Sequence, residues 1–144
     1  MFAIIFGNQG EDFAGQLAPD FSLKDYNGNV VNMSDFSGKP MVVHSWASWC
    51  PCCRNELPDF VEVQKECVDD VVIIAIKRSE ALETSKKYSD ELGVSEDLIM
   101  LLDPRDSFYQ SIGGFSMPET IFIDKEGNEV TLYVDFPDKS QHIL

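Results

Sequence analysis

The sequence predicts an α/β protein, because runs typical of buried strands alternate with segments whose apolar residues recur at helical spacing. Asn27-Gly28 stands between two extended runs, which is typical of a tight hairpin turn. MVVHSWA, residues 41–47, is a largely apolar run that predicts a central buried strand, and residues 51–67 then follow helical spacing. A chain of 144 residues with 44% hydrophobic content is long enough to form one domain with its own core.

The other elements follow in the same alternation. Residues 19–33 predict a β-hairpin ahead of the central strand. After the helix at 51–67, the chain predicts a β-branched strand, a helix, an apolar run, a short helix with Asp103 as its candidate N-cap, and a closing hairpin: 71–76, about 79–92, 98–102, 103–114, and 120–124 with 129–136. The predicted order is a β-hairpin, a βαβ unit with an inserted αβ unit, and a final hairpin.

The charge balance argues against a nucleic-acid partner. With 25 Asp and Glu against 11 Lys and Arg, the formal net charge is -14. A phosphate-binding surface needs a stripe of Lys and Arg to displace counterions, and the sequence has no such stripe. The acidity is typical of a soluble, self-repelling surface.

The amino-terminal residues MFAIIFG are apolar, but they lack a basic flank and are shorter than the apolar core of a signal peptide. We expect no transmembrane span here. The stretch is compatible with the stub of a trimmed export signal or anchor, or with an edge strand. We therefore expect one domain over 1–144, with 1–14 as a tail or edge strand and 137–144 as a tail.

Three of the four cysteines stand within four residues, in WASWCPCCRNELP. Residues three apart lie side by side across the first turn of a helix, so Cys50 and Cys53 can bond, whereas Cys50 and Cys52 point to different faces. A bridge between the adjacent Cys52 and Cys53 is disfavoured, because Cα atoms across a trans peptide lie about 3.8 Å apart. Pro51 suits the first helical position. Cys67 is expected to be a small buried apolar residue.

This placement has chemical consequences for Cys50. The unpaired amides and the positive end of the helix dipole stabilise an anion, which lowers the pKa of a thiol at that position. Cys50 is therefore the predicted attacking thiolate. Cys53, one turn deeper, is predicted to resolve the mixed disulfide with a substrate.

Three segments together resemble the thioredoxin superfamily, in its TlpA/ResA-like branch related to the AhpC/TSA proteins. They are APDFSLKDYNGNVVNMSDFSGKP leading into a strand, WASWCPCCRNELP, and SMPETIFIDKEG. The resemblance covers about residues 15–136. It implies a thioredoxin-like fold, with a central mixed β-sheet flanked by helices. The family usually closes with an amphipathic helix, and here only PDKSQHIL follows Phe136, so the C-terminal helix is expected to be short or missing.

The resemblance also implies roles for individual residues. Pro118 would be a cis-proline that faces the disulfide, and Met117 would offer its backbone to an extended substrate chain. Glu56 would adjust the pKa values of the cysteines and relay a proton to or from Cys53. Trp49 and Pro51 would belong to the surface on which the substrate docks.

Two positions depart from the family pattern. His44 stands where thioredoxins keep an aspartate and this branch commonly has asparagine. It is either a core histidine bonded to a backbone carbonyl or a catalytic group that accepts the proton of Cys53. Cys52 is a third thiol between the pair, and we expect it to face solvent, with an alternative resolving thiol or a metal ligand as the other readings. Trp46 is expected to be a packing residue.

Three rival functions fit the sequence less well. A peroxiredoxin would have Thr or Ser three residues before its reactive cysteine, and Ala47 stands there. A copper metallochaperone of the Sco-like kind would use two cysteines and a distant histidine, but its cysteines are separated by three residues and His142 lies near the end of the chain. A redox-inactive binding module would not need Cys50, Cys53, Pro118 and Glu56 together.

The sequence therefore predicts a thiol-disulfide oxidoreductase that reduces protein disulfides, with protein disulfides or dithiols as its substrates. No cofactor and no metal is expected, but a redox partner protein must recycle the cysteine pair. The resemblance implies a bacterial, extracytoplasmic protein. The direction of electron flow and a cytoplasmic location stay open at this point.

Overall fold

The structure is a computed structural model that describes residues 3–7, 17–67, 70–113, 119–129 and 131–135. These ranges contain strands, α-helices and one short 3₁₀ helix, Met33–Phe36. The strands and α-helices are β1 Ala3–Gly7, β2 Ser22–Asp25, β3 Val30–Asn32, β4 Met41–Trp46, α1 Pro51–Glu66, β5 Val72–Arg78, α2 Leu82–Leu92, β6 Ile99–Asp103, α3 Ser107–Ser111, β7 Glu119–Ile123 and β8 Thr131–Asp135. No helix among the described residues combines the length and apolar composition that crossing a membrane requires.

The main sheet has six strands in the order β3-β2-β6-β5-β4-β7. Strands β4, β5 and β6 are parallel to one another; β2 pairs antiparallel with β6, β7 pairs antiparallel with β4, and β3 pairs antiparallel with β2. The predicted mixed α/β sheet is therefore confirmed, with α2 and β6 forming the inserted αβ unit. The prediction about a C-terminal helix falls on residues after 135, outside the described part of the chain.

The amino-terminal hairpin is confirmed. Strands β2 and β3 pair antiparallel, with Ser22 opposite Asn32. The turn between them closes through a hydrogen bond from the Gly28 backbone N–H to the Asp25 carbonyl, and the Asp25 carboxylate accepts bonds from the backbone N–H groups of Asn27 and Asn29. Gly28 has a φ of +85°, a conformation that glycine adopts without a steric cost.

The predicted closing hairpin is wrong. Its turn forms, since the backbone N–H of Asp124 donates to the carbonyl of Asn128 at 2.8 Å, and a single bridge joins Ile123 to Glu129. Beyond that bridge, however, β8 pairs antiparallel with β1 along its full length, in a separate two-stranded sheet. The partner of β8 is thus β1, a strand from the opposite end of the sequence that no local turn signal could indicate.

The core lies on both faces of the sheet, because side chains alternate along a strand. On β5, Ile73 and Ala75 pack with α1, whereas Ile74 and Ile76 face the layer that contains Phe108 of α3. All six residues of β4 are buried. A central strand covered on both faces explains why MVVHSW is largely apolar, and it fixes the position of whatever follows Trp46.

Helix α2 begins later than its predicted start near residue 79. Ser79 has a φ of +41°, outside the helical region, and its backbone N–H donates to the carbonyl of Asp103 at 3.0 Å. The chain is therefore tied to the end of β6 before it turns into the helix at Leu82.

Asp103 is not the N-cap residue that the sequence suggested. It is the last residue of β6, and Asp106 occupies the N-cap position of α3 with a φ of 59° and no capping side-chain bond. The buried Asp103 carboxylate nevertheless serves the same helix end. It accepts bonds from the backbone N–H and hydroxyl of Ser107 and from the backbone N–H of Phe108.

We expect Asp103→Ala to lower the free energy of unfolding by about 2 to 4 kcal/mol, because it leaves the buried amide of Phe108 and the partly buried amide of Ser107 without an acceptor. Urea denaturation followed by circular dichroism measures the change. The control is Asp97→Ala at an exposed position, where a change of at most about 0.5 kcal/mol is expected. Equal effects in the two variants would contradict this assignment of Asp103.

Candidate active site

The cysteine pair lies where the central strand feeds the first helix. After β4 ends at Trp46, the backbone N–H of Cys50 donates to the carbonyl of Ala47 at 3.2 Å and closes a turn. Cys50 is the N-cap residue of α1, with extended φ and ψ of -102° and 104°, and Pro51 is the first helical residue. The Cys50 Sγ accepts a hydrogen bond from the backbone N–H of Cys53 at 3.2 Å. Cys50 and Cys53 are joined by a disulfide, with their Cα atoms 5.3 Å apart.

The predicted pairing is thus the one that the structure contains, and the two sulfurs differ in access. Cys53 is fully buried, whereas Cys50 keeps 6% of its surface exposed. Cys52 is a free, exposed thiol, as expected from its face of the helix. Cys67, at the C-terminal end of α1, is half-buried; burial, with smaller contributions from Asp70 and Glu66, raises the pKa of its thiol.

Glu56 lies one turn along α1 from Cys53 and is partly buried. Burial, with a smaller contribution from the neighbouring Asp59, raises the pKa of Glu56 from 4.5 to about 7. Its Oε1 is shielded from solvent and has no hydrogen-bond partner among the described residues. An unpartnered buried oxygen favours the protonated carboxyl, so this side chain changes its charge close to neutral pH.

His44 is fully buried on β4, and burial lowers the pKa of its imidazole to about 3. Its Nδ1 is 2.9 Å from the Thr120 hydroxyl, and its ring packs on Phe60 with 4.8 Å between centroids. The expected backbone carbonyl is therefore replaced by a hydroxyl from β7. Nδ1 also lies 3.9 Å from Glu56 Oε1, but a neutral imidazole forms no ion pair at that distance.

Two charged residues, one at the end of β5 and one in the connection that follows it, were missed in the sequence. Lys77 is fully buried, and its ammonium group pairs with Glu80 and lies 5.0 Å from the ring centroid of Trp46 and 5.6 Å from that of Trp49. The Glu80 carboxylate also accepts bonds from the backbone N–H and the hydroxyl of Ser48. The available signal was a lysine that continues the apolar run VVIIAI, with a glutamate three residues later.

Trp49 is the exposed residue of this region, with 56% of its surface accessible, and Trp46 is fully buried as expected. The guanidinium of Arg78 lies 5.9 Å from the Trp49 ring centroid and 3.5 Å from that of Tyr109. Arg78 is itself held by two hydrogen bonds to the Asp106 carboxylate. The exposed Trp49 indole therefore lies close to the charged groups of Lys77 and Arg78, and Arg78 in turn packs on Tyr109.

Met117 and Pro118 lie outside the described residues, so their roles stay predictions. The next residue, Glu119, begins β7 and stands opposite Ser45 near the end of β4. The start of β7 therefore lies at the edge of the sheet from which the cysteine turn leaves. His142, the distant histidine of the copper-binding alternative, is also outside the described residues, and within them no group of three His, Cys, Asp or Glu is placed to hold a metal ion.

The raised pKa of Glu56 predicts a pH-dependent loss of stability. A carboxyl with a folded-state pKa above its unfolded value stabilises the fold fully below the unfolded value, here 4.5, and this contribution is lost as the pH rises towards about 7. Relative to Glu56→Gln, the oxidised protein should lose up to about 3 kcal/mol of unfolding free energy across that window.

Urea denaturation at a series of pH values measures this difference. Glu62→Gln, an exposed position on the same helix, is the matched control and should track the parent protein. A difference between parent and Glu56→Gln that does not vary between pH 4.5 and 7 would contradict the assigned pKa.

Comparison with known proteins agrees with this geometry. The model of the AhpC/TSA family matches residues 14–130. The thioredoxin-like protein YneN of Bacillus subtilis is 33% identical over 114 residues, which cover 78% of this chain and 66% of YneN. The thiol-disulfide oxidoreductase ResA of Geobacillus thermodenitrificans is 28% identical over 131 residues, which cover 88% of this chain and 72% of ResA.

Among solved structures, the exposed lipoprotein thioredoxin of Streptococcus pneumoniae is similar with a TM-score of 0.70 and 32% identity, over 83% of this chain and 92% of that one. This likeness confirms the predicted thioredoxin-like fold. The name of ResA confirms the predicted class, thiol-disulfide oxidoreductase, and the disulfide between Cys50 and Cys53 agrees with it. The chain spans 66% of the length of YneN. Because the family model matches well over half of the chain, this protein belongs to the AhpC/TSA family.

Proposed function

We propose that this protein reduces disulfides in other proteins by thiol-disulfide exchange, with Cys50 as the attacking thiol and Cys53 as the resolving thiol. The observation that carries the proposal is the Cys50–Cys53 disulfide at the N-terminus of α1, with Cys50 as the N-cap residue. A sulfur in that position accepts backbone N–H hydrogen bonds, which favour the thiolate over the thiol.

The first step is attack by the Cys50 thiolate on one sulfur of a substrate disulfide. The substrate S–S bond breaks, a bond forms between Cys50 and the attacked sulfur, and the other substrate sulfur leaves as a thiolate that takes a proton from water. Cys50 is suited to this role because it is the more exposed cysteine of the pair.

The second step is attack by Cys53 on the sulfur of Cys50. The mixed disulfide breaks, the Cys50–Cys53 bond forms, and the second substrate thiol is released. Two electrons have then passed from the cysteine pair to the substrate. The fully buried Cys53 thiol must lose its proton before it attacks, so this step needs a proton acceptor nearby.

Glu56 is the proposed acceptor of that proton. It lies three residues after Cys53 on α1, and its pKa of about 7 makes it a base whose proton affinity suits transfer at neutral pH. His44 is proposed to hold its neighbours in place and not to accept a proton. With a pKa of about 3 its imidazole stays neutral, and its bond to Thr120 ties β4 to β7 next to Glu56.

The docking surface proposed for the substrate combines the exposed Trp49 and Pro51 with Met117 and Pro118. Trp49 and Pro51 are both exposed beside Cys50. The roles of Met117 and Pro118 come from the resemblance, and the position of Glu119 beside Ser45 supports them, because it brings the start of β7 to the same edge of the sheet.

Recycling and location are also proposals. The oxidised pair must receive two electrons from a redox partner protein before another turnover. The likeness to an exposed lipoprotein thioredoxin and to bacterial ResA supports a location outside the cytoplasm of a bacterium. In that compartment a reductase acts on exported proteins, whose disulfides persist there.

We expect Cys53→Ser, in a Cys52→Ser background, to accumulate a mixed disulfide with a disulfide-containing protein such as insulin, because the resolving step is removed. Mass spectrometry should locate the bond at Cys50. Cys50→Ser in the same background is the control and should form no mixed disulfide at that position. Equal trapping in both variants would contradict the assigned order of attack.

The reduction potential of the Cys50–Cys53 couple decides the direction. We expect a value near or below about -270 mV, typical of a reductase, when the Cys52→Ser protein is equilibrated in dithiothreitol buffers and followed by tryptophan fluorescence. A value near about -120 mV would reverse the proposed direction to oxidation. If no two-electron couple titrates, the proposed function fails and metal binding becomes the leading account.

A further inference from the structure

A buried ion pair lies beneath the turn that carries Cys50. Lys77 ends an otherwise apolar stretch of β5 and stands opposite Trp46 in the parallel register of β4 and β5. A buried ammonium is costly unless a carboxylate partners it, and Glu80 provides that partner. An apolar side chain in the position of Lys77 would avoid the cost of burying a charge.

The pair reaches the turn from two directions. The Glu80 carboxylate accepts the Ser48 backbone N–H at 3.0 Å and the Ser48 hydroxyl at 2.5 Å, so it holds the turn two residues before Cys50. The Lys77 ammonium lies within 6 Å of both indoles, which suits a cation–π contact. One of these indoles, Trp46, is buried in the core, and the other, Trp49, is exposed next to Cys50.

We infer that Lys77 and Glu80 are positioning residues for thiol-disulfide exchange: they hold the turn of residues 47–50 so that the Cys50 sulfur and the Trp49 indole are presented together to a protein disulfide. The inference rests on the proposed function and adds to it the residues that set the geometry. Neither side chain touches the reacting sulfurs in this assignment; both act through Ser48 and the two indoles.

The turn of residues 47–50 is held both by a bond within it and by Glu80, which follows the neighbouring strand β5. Within the turn, the bond from the Cys50 N–H to the Ala47 carbonyl fixes the local path, but it does not fix the turn relative to the sheet. Glu80, in the connection between β5 and α2, supplies that second constraint. A misplacement of about 1 Å at an attacking group can cost on the order of a hundredfold in rate, so such an anchor bears directly on reactivity.

The test compares Glu80→Gln, Lys77→Met and Ser48→Ala, each in the Cys52→Ser background. Three readouts are taken on reduced protein at neutral pH: the rate constant for reduction of insulin, the rate of Cys50 alkylation by iodoacetamide, and the tryptophan emission spectrum. Circular dichroism first establishes a temperature at which every variant is folded, because a purely structural role would lower the melting temperature and leave these three readouts unchanged.

The matched controls are Lys86→Met and Asp90→Asn. Lys86 and Asp90 also form a lysine–carboxylate pair, but it lies exposed along α2 and touches no part of the turn. We expect Glu80→Gln and Lys77→Met to lower both the insulin rate constant and the alkylation rate about tenfold or more, with Ser48→Ala intermediate because it keeps the backbone bond. Both controls should stay within about twofold of the parent. Lys77→Met should also shift the tryptophan emission.

Folded Glu80→Gln and Ser48→Ala proteins that match the controls in all three readouts would overturn the inference, and they decide it even if Lys77→Met does not fold. Failure of the proposed function looks different. In that case the parent protein itself does not reduce insulin, whereas the alkylation rates and emission spectra still show whether the pair positions Cys50 and Trp49.

Discussion

The structure depends above all on the junction between β4 and α1. Strand β4 is hydrogen-bonded on both sides and buried along its whole length, so the point at which the chain leaves it is fixed by the core. The helix that begins directly afterwards has Cys50 as its N-cap, and the Cys50 sulfur takes the place of the oxygen that usually accepts an amide hydrogen there. A sulfur held between two rigid elements is suited to the attack proposed for Cys50.

Burial next to this junction has opposite effects on two titratable side chains. Removing a group from water disfavours its charged form, so the same physical cause lowers the pKa of His44 to about 3 and raises that of Glu56 to about 7. The consequence is a division of roles within one polar cluster. The imidazole is a fixed neutral group bonded to Thr120, while the carboxyl beside it is the group able to gain or lose a proton near neutrality.

The parts of the fold that the sequence predicted well are those with local signals. The Asn27-Gly28 turn, the start of α1 and the pairing of Cys50 with Cys53 each follow from residues fewer than five apart. Two of the departures from prediction come from partners far away in sequence. Strand β8 pairs with β1 rather than β7, and the His44 ring bonds Thr120, 76 residues later. For Lys77 the sequence carried only part of the signal: Glu80 stands three residues later, but the contacts of Lys77 with Trp46 and Trp49 lie in another strand and a turn.

The charged residues near the site hold the turn and the Trp49 indole in place, and they contribute little to the long-range attraction of a partner. In a chain with a net charge of -14, two adjacent basic residues, Lys77 and Arg78, lie beneath Trp49. Each is paired with its own carboxylate, Glu80 and Asp106, so their charges largely cancel at a distance and add little to long-range attraction of a partner. What remains is short-range: hydrogen bonds of fixed direction and cations against aromatic rings. Such contacts determine where the Trp49 indole and the turn of residues 47–50 lie. The proposed exchange between two sulfurs depends on these positions.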